Sequence, residues 1–499
     1  MNESPEAPPQ NLGRSAARGA SITAAGLVIR ILVQAVGLVV LARILSPIDF
    51  GLVAMVVAVV SVGDILRDFG LSYAAVQAPT FSTKQRSNLF WLNTAFGAAI
   101  GAAVFGLAWP IADLYNDPRL VPITQVIAIT FVINGIGSQY RASLQRSLSF
   151  GALALAETAG QIISVSAGII AAMNGLSYWS IVIQVVVHPA VVVTILVLVS
   201  RWLPSGFYRH QGTKHFVIFG WRVMAVQTLT YVSANVDTVA VGLNFGPTAL
   251  GYYNRAFQLM AVPVIQLANG MIRVAVPVLA KLQSDANRMN DYLARAQTAL
   301  LAFMLFILVA LASLTEPIVM IVLGANWVES VPILRILAVA GIFQTLTYPL
   351  DWAFMALGLT RVQLIQALVS RPLLIISVIV GAQFNVDAVA WGYAVGAGLG
   401  WPIALIALSR ASSIRVVHLI VNASRMVAVN LWAGVGAWLV TIVRPFESSF
   451  GSMTLGMALM LAIIVLAVWL IPSVRQDYAI VGQFWALMSA KIRGAVGSR

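Results

Sequence analysis

The sequence predicts an all-α integral membrane protein of about fourteen transmembrane helices, built as two six-helix lobes of one topology plus two C-terminal helices. Three observations predict it. Apolar residues make up 60% of the 499 residues and charged ones only 9%, and the mean hydropathy is +0.90, far from a soluble globular protein. Apolar runs of bilayer-spanning length recur to the end of the chain. Basic residues gather between the runs with a strong bias to alternate connections. A transmembrane β-barrel is excluded, because its strands alternate over short segments.

In order, the chain opens with the polar, Pro-rich tail 1–19 (MNESPEAPPQNLGRSAARG). The run after it is too long for a signal-peptide core, so the first span is expected to remain as a helix. Spans are expected at roughly 20–42, 50–72, 87–112, 121–143, 151–174, 177–200, 216–243, 254–279, 296–323, 330–358, 362–383, 387–409, 426–443 and 452–472. The connections leave no room for an appended soluble domain. With no cysteine in the chain, disulfides, thiolate metal sites and cysteine nucleophiles are excluded. No metal or cofactor is expected.

Orientation follows from Lys and Arg near span ends, which are retained on the cytoplasmic side. With the N-terminus inside, twenty fall on that face, from Arg14 and Arg18 to Arg493 and Arg499, against four outside: Arg43, Arg119, Arg255 and Arg444. Both termini are therefore expected in the cytoplasm of a cell with an inner or plasma membrane. The net charge of +13 is then a topology signal, and nucleic acid is not needed to explain it.

A shift of 200 residues brings SPIDFG (Ser46–Gly51) onto GPTALG (Gly246–Gly251), with Gly70 on Gly270, Ala75 on Ala275 and Val76 on Val276. Both PxxΦG turns lie between the first and second spans of a six-span unit. This gives an N-lobe at 20–200, a basic loop at 201–215, a C-lobe at 216–409, two further spans within 410–472 and an amphipathic tail at 473–499. The tail, with Tyr478, Phe484, Trp485, Lys491 and Arg493, suits the cytoplasmic membrane surface.

Polar groups inside spans carry the functional argument, because each is costly in hydrocarbon and faces protein or a wet cavity. Thr23, Gly26, Arg30, Gln34 and Gly37 recur at steps of three and four, so they form one stripe of the first span. Arg222, Thr230, Ser233 and Asp237 stripe the seventh, and Arg255, Gln258, Gln266, Asn269 and Arg273 the eighth, with Pro263 among them. The tenth adds Gln344, Tyr348 and Asp351, and Arg371 precedes Pro372 in the eleventh. Four or five helices thus turn polar groups one way, which describes a lined cavity. Competing structural readings exist for several of these residues. Arg222, Arg255 and Arg335 lie near span ends, where snorkelling is an alternative. Asp64, Arg67 and Asp68 form an i, i+3, i+4 salt-bridge cluster suited to a gate at the lobe mouth, and Glu157 reads as a similar local pair. His188, before Pro189, reads as a packed histidine at a helix break. Asp237 and Asp351 are candidates for coupling to protons or another cation.

Several arginines facing one wet space suit a phosphate-bearing ligand, since a guanidinium holds phosphate oxygens bidentately. The HExxH, GxxxxGK and GxSxG motifs are absent, so an enzyme is not expected.

The stretch ARGASITAAGLVIRILVQAVGLVVLARILSPIDFGLVAM, then DFGLSYAAVQ and RASLQRSLSF, resembles the polysaccharide-export flippases. These are the Wzx-type, colanic acid exporter group of the multidrug/oligosaccharidyl-lipid/polysaccharide superfamily. DTVAVGLNFGPTALGYYNRAFQLMAVPV, PVLAKLQSD and LGANWVESVPILRILAVAG continue the likeness, which covers roughly 13–415. The resemblance implies a V-shaped fold like that of the multidrug and toxin extruders. It implies movement of an undecaprenyl-diphosphate-linked oligosaccharide from the cytoplasmic to the outer leaflet by alternating access, for cell-surface polysaccharide synthesis. By the match of lumen-lining helices, Arg30 and Arg273 are candidate diphosphate contacts. Gln34, Tyr231, Gln266 and Asn269 are candidate hydrogen-bonding groups, and Arg371 is a further candidate substrate-binding residue. The expected partners are the lipid-linked glycan, membrane lipids and proteins of polysaccharide polymerisation or assembly. The alternatives are a cation-coupled multidrug extruder of the same fold and, from another class, a membrane polymerase or ligase.

Overall fold

The computed structural model describes residues 12–64, 82–147, 149–206, 208, 214–443 and 448–482, without the side chains of 12–22, 24, 214–230 and 232. Arg67, Asp68, Phe484, Trp485, Lys491 and Arg493 therefore lie outside the described residues, as do the side chains of Arg222 and Thr230.

The helices are α1 (Leu12–Ile44), α2 (Pro47–Val60), α3 (Thr83–Gly106), α4 (Ala108–Tyr115), α5 (Leu120–Arg146), α6 (Phe150–Met173), α7 (Trp179–Ser200), α8 (Lys214–Lys281), α9 (Ala286–Ser313), α10 (Thr315–Val322), α11 (Ser330–Ala356), α12 (Thr360–Gly381), α13 (Val386–Ala411), α14 (Val416–Val443) and α15 (Ser449–Leu470). A helix at 472–482 follows, and no strand is present among the described residues. Thirteen described helices are long and apolar enough to cross a membrane. One of these stretches, Ser233–Lys281, is broken at Gly246, whose φ of 80° and ψ of −179° no helix accommodates. Only glycine adopts that conformation readily. Pro247 then restarts the helix, as Pro47 starts α2, so both PxxΦG motifs are helix beginnings.

The helix starts are written in the sequence. Ser46 N–H and Oγ both donate to Asp49 Oδ2, at 2.9 and 2.6 Å. Ser82 and Gln85 exchange a reciprocal pair at 3.0 and 3.2 Å. Asp285, Asn385 and Ser448 accept from the backbone N–H of Arg288, Ala388 and Gly451. Each satisfies a donor that the first helical turn leaves open. The first helix begins at Leu12, earlier than the expected boundary near 20, because RSAARGA is rich in good helix formers. Its apolar window starts only at Ala25.

The chain divides into two compact units, 1–234 and 235–499. The division falls inside α8, beyond the basic loop at 201–215, because the early part of α8 belongs with the first unit: Tyr231 OH donates to Ala58 O at 3.3 Å. That carbonyl ends α2, and a helix leaves its last carbonyls without intrahelical donors.

In the first unit α1 packs on α6, α6 on α7, α3 on α5, and α5 on α7. The α3–α5 crossing depends on absent side chains. A Cβ on Gly97 would stand 2.6 Å from Phe131 O, and one on Gly135 2.7 Å from Asn93 O. Small residues thus bring two backbones together, as they do between membrane helices generally. In the second unit α12 packs on α13, α11 on α9 and α13, and α9 on α14. The buried core there is dominated by α9, with Leu300, Leu301, Met304, Leu305 and Leu308, against Leu334, Leu337 and Trp352 of α11. Outward apolar residues such as Leu364, Leu368, Ile376 and Ile379 of α12 stay exposed, the pattern of a helix whose outer face meets lipid. The chain is a multi-pass membrane protein.

Candidate functional site

In the first unit the sequence-predicted groups lie on α1, α2 and α8. Arg30 is half-buried and Gln34, one turn on, is exposed. Arg30 has no hydrogen-bonding or ion-pairing partner among the described residues, yet its charge reaches His188 of α7. His188 Nε2 stands 4.0 Å from Glu157 Oε2 on α6, and Arg141 Nη1 of α5 donates to Glu157 Oε1. The structure therefore gathers Arg141, Glu157 and His188 from three helices, with the Arg30 charge of α1 reaching the last of them. Close packing of α1 on α6 makes this possible, with Thr158 Oγ1 3.5 Å from Gly26 O. With imidazole neutral, two guanidiniums against one carboxylate leave one excess positive charge, the sign an anionic ligand needs.

Asp64, the described member of the expected gate cluster, is half-buried just past α2. Tyr231 lies near it, its hydroxyl bonded to the α2 carbonyl described above. The Tyr231 proton therefore serves α2.

In the second unit Asp237 is buried, 1% exposed. Tyr253, fully buried past the Gly246 break, donates from its hydroxyl to Asp237 Oδ2 at 2.8 Å. Asp237 Oδ1 meets no donor at hydrogen-bonding geometry among the described residues. Tyr253 stacks on Phe257, which meets Tyr393 of α13 edge to face at 5.5 Å. Gln344 Nε2 of α11 donates to Tyr393 OH at 2.7 Å. The Arg371 charge on α12 reaches Tyr393, Tyr348 and Asp351, and Asp351 Oδ1 accepts from Gln363 Nε2 at 3.3 Å. Asp237 with Tyr253, Gln344 with Tyr393 and Asp351 with Gln363 are thus three hydrogen-bonded pairs, and the Arg371 charge reaches the last two.

The stripe on the later part of α8 is more open. Arg273 and Asn269 are exposed and Gln266 is half-buried. Arg255 Nη1 instead donates to Gln258 Oε1 at 2.7 Å, and Gln258 Nε2 to Asn254 Oδ1 at 3.0 Å, a local ladder along one helix face.

Sequence reasoning gave no role to Tyr253 or Tyr393, whose partners lie across a helix break and on another helix. It read Glu157 and His188 as bland. The available signal was their isolation, since a lone ionisable residue within a span marks function by default. No group of three or more metal-binding side chains occurs among the described residues.

The "Polysaccharide biosynthesis protein" family profile matches residues 40–332. The chain is 26% identical to the lipopolysaccharide biosynthesis protein WzxC of Escherichia coli K12, over 88% of this chain and 87% of that one. Its fold matches the lipid II flippase MurJ in an inward closed conformation, with a TM-score of 0.69 at 13% identity over 88% of this chain and 97% of that one. It also matches an inward-facing multidrug resistance MATE family transporter, with a TM-score of 0.59 at 12% identity over 80% of this chain and 95% of that one. The likeness to polysaccharide exporters and the MATE-like architecture expected from the sequence agree with these matches. As the profile spans more than half of the sequence, the chain belongs to the polysaccharide biosynthesis protein family.

Proposed function

We propose that this protein moves an undecaprenyl-diphosphate-linked oligosaccharide from the inner to the outer leaflet of a bacterial inner membrane, by alternating access. The observation that carries the reading is the excess positive charge where Arg141 and His188 meet Glu157 and the Arg30 charge reaches His188, in a chain of the polysaccharide biosynthesis family. Ionic groups within a membrane lobe are expensive and face a cavity, and guanidiniums are suited to diphosphate oxygens. Arg273, Arg371, Gln34, Tyr231, Gln266 and Asn269 are the further candidate contacts. A drug extruder for organic cations would present the opposite charge. The chain acts as a transporter and not as an enzyme. Both termini lie in the cytoplasm, and its partners are the lipid-linked glycan, bilayer lipids and glycan-assembly proteins. Asp237 and Asp351 are the candidate sites of a coupling cation.

The test uses cells lacking the protein and a membrane-impermeant reagent that labels outer-leaflet lipid-linked oligosaccharide. Wild type is expected to restore labelling. Arg30→Ala, expressed at the normal level, is expected to lose about tenfold or more, the range for deleting one hydrogen bond to a charged group. Unchanged labelling in the deletion strain would refute the reading.

A further inference from the structure

Glu157 on α6 lies between Arg141 and His188. Arg141 of α5 donates to Oε1, His188 of α7 stands 4.0 Å from Oε2, and the Arg30 charge on α1 reaches His188. The helix carrying His188 packs on α2, α5 and α6. From α6 it meets Glu157, and from α5 Arg141; Tyr140 of α5 turns instead into the cluster with Phe90 and Trp202. The α2 carboxylate, Asp49, is engaged by Ser46 and Ser177 at the start of α7, away from His188. The cluster is open: the side chains of Arg141, His188 and Glu157 are 44%, 34% and 21% exposed. Ionic groups on membrane-spanning helices turn away from hydrocarbon, so the open side is one that water or a polar ligand reaches.

We propose that Glu157 is an internal counter-anion that a diphosphate displaces from Arg141. The inference rests on the function proposed above and adds a mechanism to it. A diphosphate offers Arg30 and Arg141 several charged oxygens where Glu157 offers two, and bidentate phosphate pairing is the stronger contact. Released from Arg141, Glu157 turns to its other neighbour, His188. The imidazole takes a proton from solvent, so that the carboxylate is again paired and is not left as a bare charge. The one bond formed is the second N–H of the imidazole, and the one broken is an O–H of the solvent hydronium that supplies the proton. The empty site is held together by its own carboxylate, and anion binding is linked to uptake of one proton. Linkage is reciprocal, so acid must tighten diphosphate binding through His188.

The experiment uses the full chain in lipid nanodiscs with undecaprenyl diphosphate as probe, and with inorganic diphosphate and undecaprenyl monophosphate as comparisons, between pH 5.5 and 8. Glu157→Gln removes the competitor and is expected to bind undecaprenyl diphosphate about fivefold or more tightly than wild type at pH 8, the lower end of ordinary coupling between linked sites. His188→Gln is expected to lose a similar factor of acid tightening relative to wild type. The probe's own titration is common to both proteins and cancels in that comparison. Unchanged or weaker binding by Glu157→Gln overturns the proposal, as do equal pH slopes for wild type and His188→Gln. Should Glu157→Gln not yield monodisperse protein, the His188→Gln slope decides alone. Equal affinity for inorganic diphosphate supports the displaced carboxylate with a free anion as ligand, whereas equal affinity for the monophosphate overturns the assignment to diphosphate. If Arg30→Ala abolishes binding while both other variants match wild type, this inference falls and the proposed function stands. If wild type binds no diphosphate, both fall.

Discussion

Tyr253→Phe tests whether the Asp237 carboxylate is held by one hydroxyl. The substitution keeps the ring stacked on Phe257 and deletes only the donor 2.8 Å from Asp237 Oδ2. Asp237 is 1% exposed and its Oδ1 already lacks a donor among the described residues, so no solvent replaces the lost bond. A hydrogen bond to a charged group contributes about 1.5–3 kcal/mol, and leaving a buried acceptor unmet forfeits the upper part of that range. The expected loss of stability is therefore about 2–3 kcal/mol. Asp237→Asn retains an acceptor for Tyr253 and removes the burial cost of a charge, so it is expected to change stability by less than about 1 kcal/mol. In the double variant the two effects are expected to fall short of additivity by at least about 1.5 kcal/mol. The assay is equilibrium unfolding of the four proteins in mixed micelles, with lipid-linked oligosaccharide transport measured in parallel. If Asp237 carries the coupling cation, Asp237→Asn loses transport while remaining folded. Additive effects, or a Tyr253→Phe loss below about 0.5 kcal/mol, would refute the assignment of this hydroxyl as the carboxylate's support.

Three further outcomes are expected. On α3, Gly97→Ala meets Phe131 O at 2.6 Å and should destabilise by about 1–3 kcal/mol, whereas Gly106→Ala meets nothing within 4 Å and should be neutral or stabilising by up to about 1 kcal/mol; thermal unfolding of the pair checks the opposite signs. Arg425 holds Asp477 of the 472–482 helix through two bonds of 2.6 and 2.8 Å. Arg425→Met leaves a 4%-exposed carboxylate unpaired, and about 2–3 kcal/mol of local stability should be lost, seen as faster proteolysis after α15; the figure is discounted because Arg425 is itself 27% exposed. Outside the spans, the Arg119 guanidinium hydrogen-bonded to Asp117 holds that carboxyl below its usual range. A depressed carboxyl stabilises above its unfolded value near about 4 and loses that contribution as pH falls through the folded value. The small gap between wild type and Asp117→Asn, under about 1 kcal/mol with Arg119 45% exposed, should therefore be constant at neutral pH and close on acidification, as melting curves would show.

The helical architecture was legible because hydrophobic runs and caps are local. Ser46 with Pro47 and Asp49, and Ser82 with Gln85, announce their helices within four residues. The early start of α1 was missed for the same local reason: polarity hid a segment whose alanines favour helix. The division after residue 234 falls inside α8, where Tyr231 reaches an α2 carbonyl far back in the chain, a contact that no window along the sequence contains.

Periodicity locates a polar face but not what that face meets. Arg255, Gln258, Gln266, Asn269 and Arg273 share one stripe of α8, yet Arg255 and Gln258 bond along their own helix while Arg273 and Asn269 remain exposed. Arg30 shows the converse. Its stripe partners on α1 do not meet its charge, whereas His188 does, which stands with Glu157 and Arg141. His188 and Glu157 are each the one charged or imidazole side chain of their helix. A stripe of several polar residues on one helix can be satisfied locally, and a lone ionisable residue cannot. In a membrane lobe the isolated ones must therefore find each other or a ligand, and Glu157, with more cation around it than it can neutralise, leaves room for both.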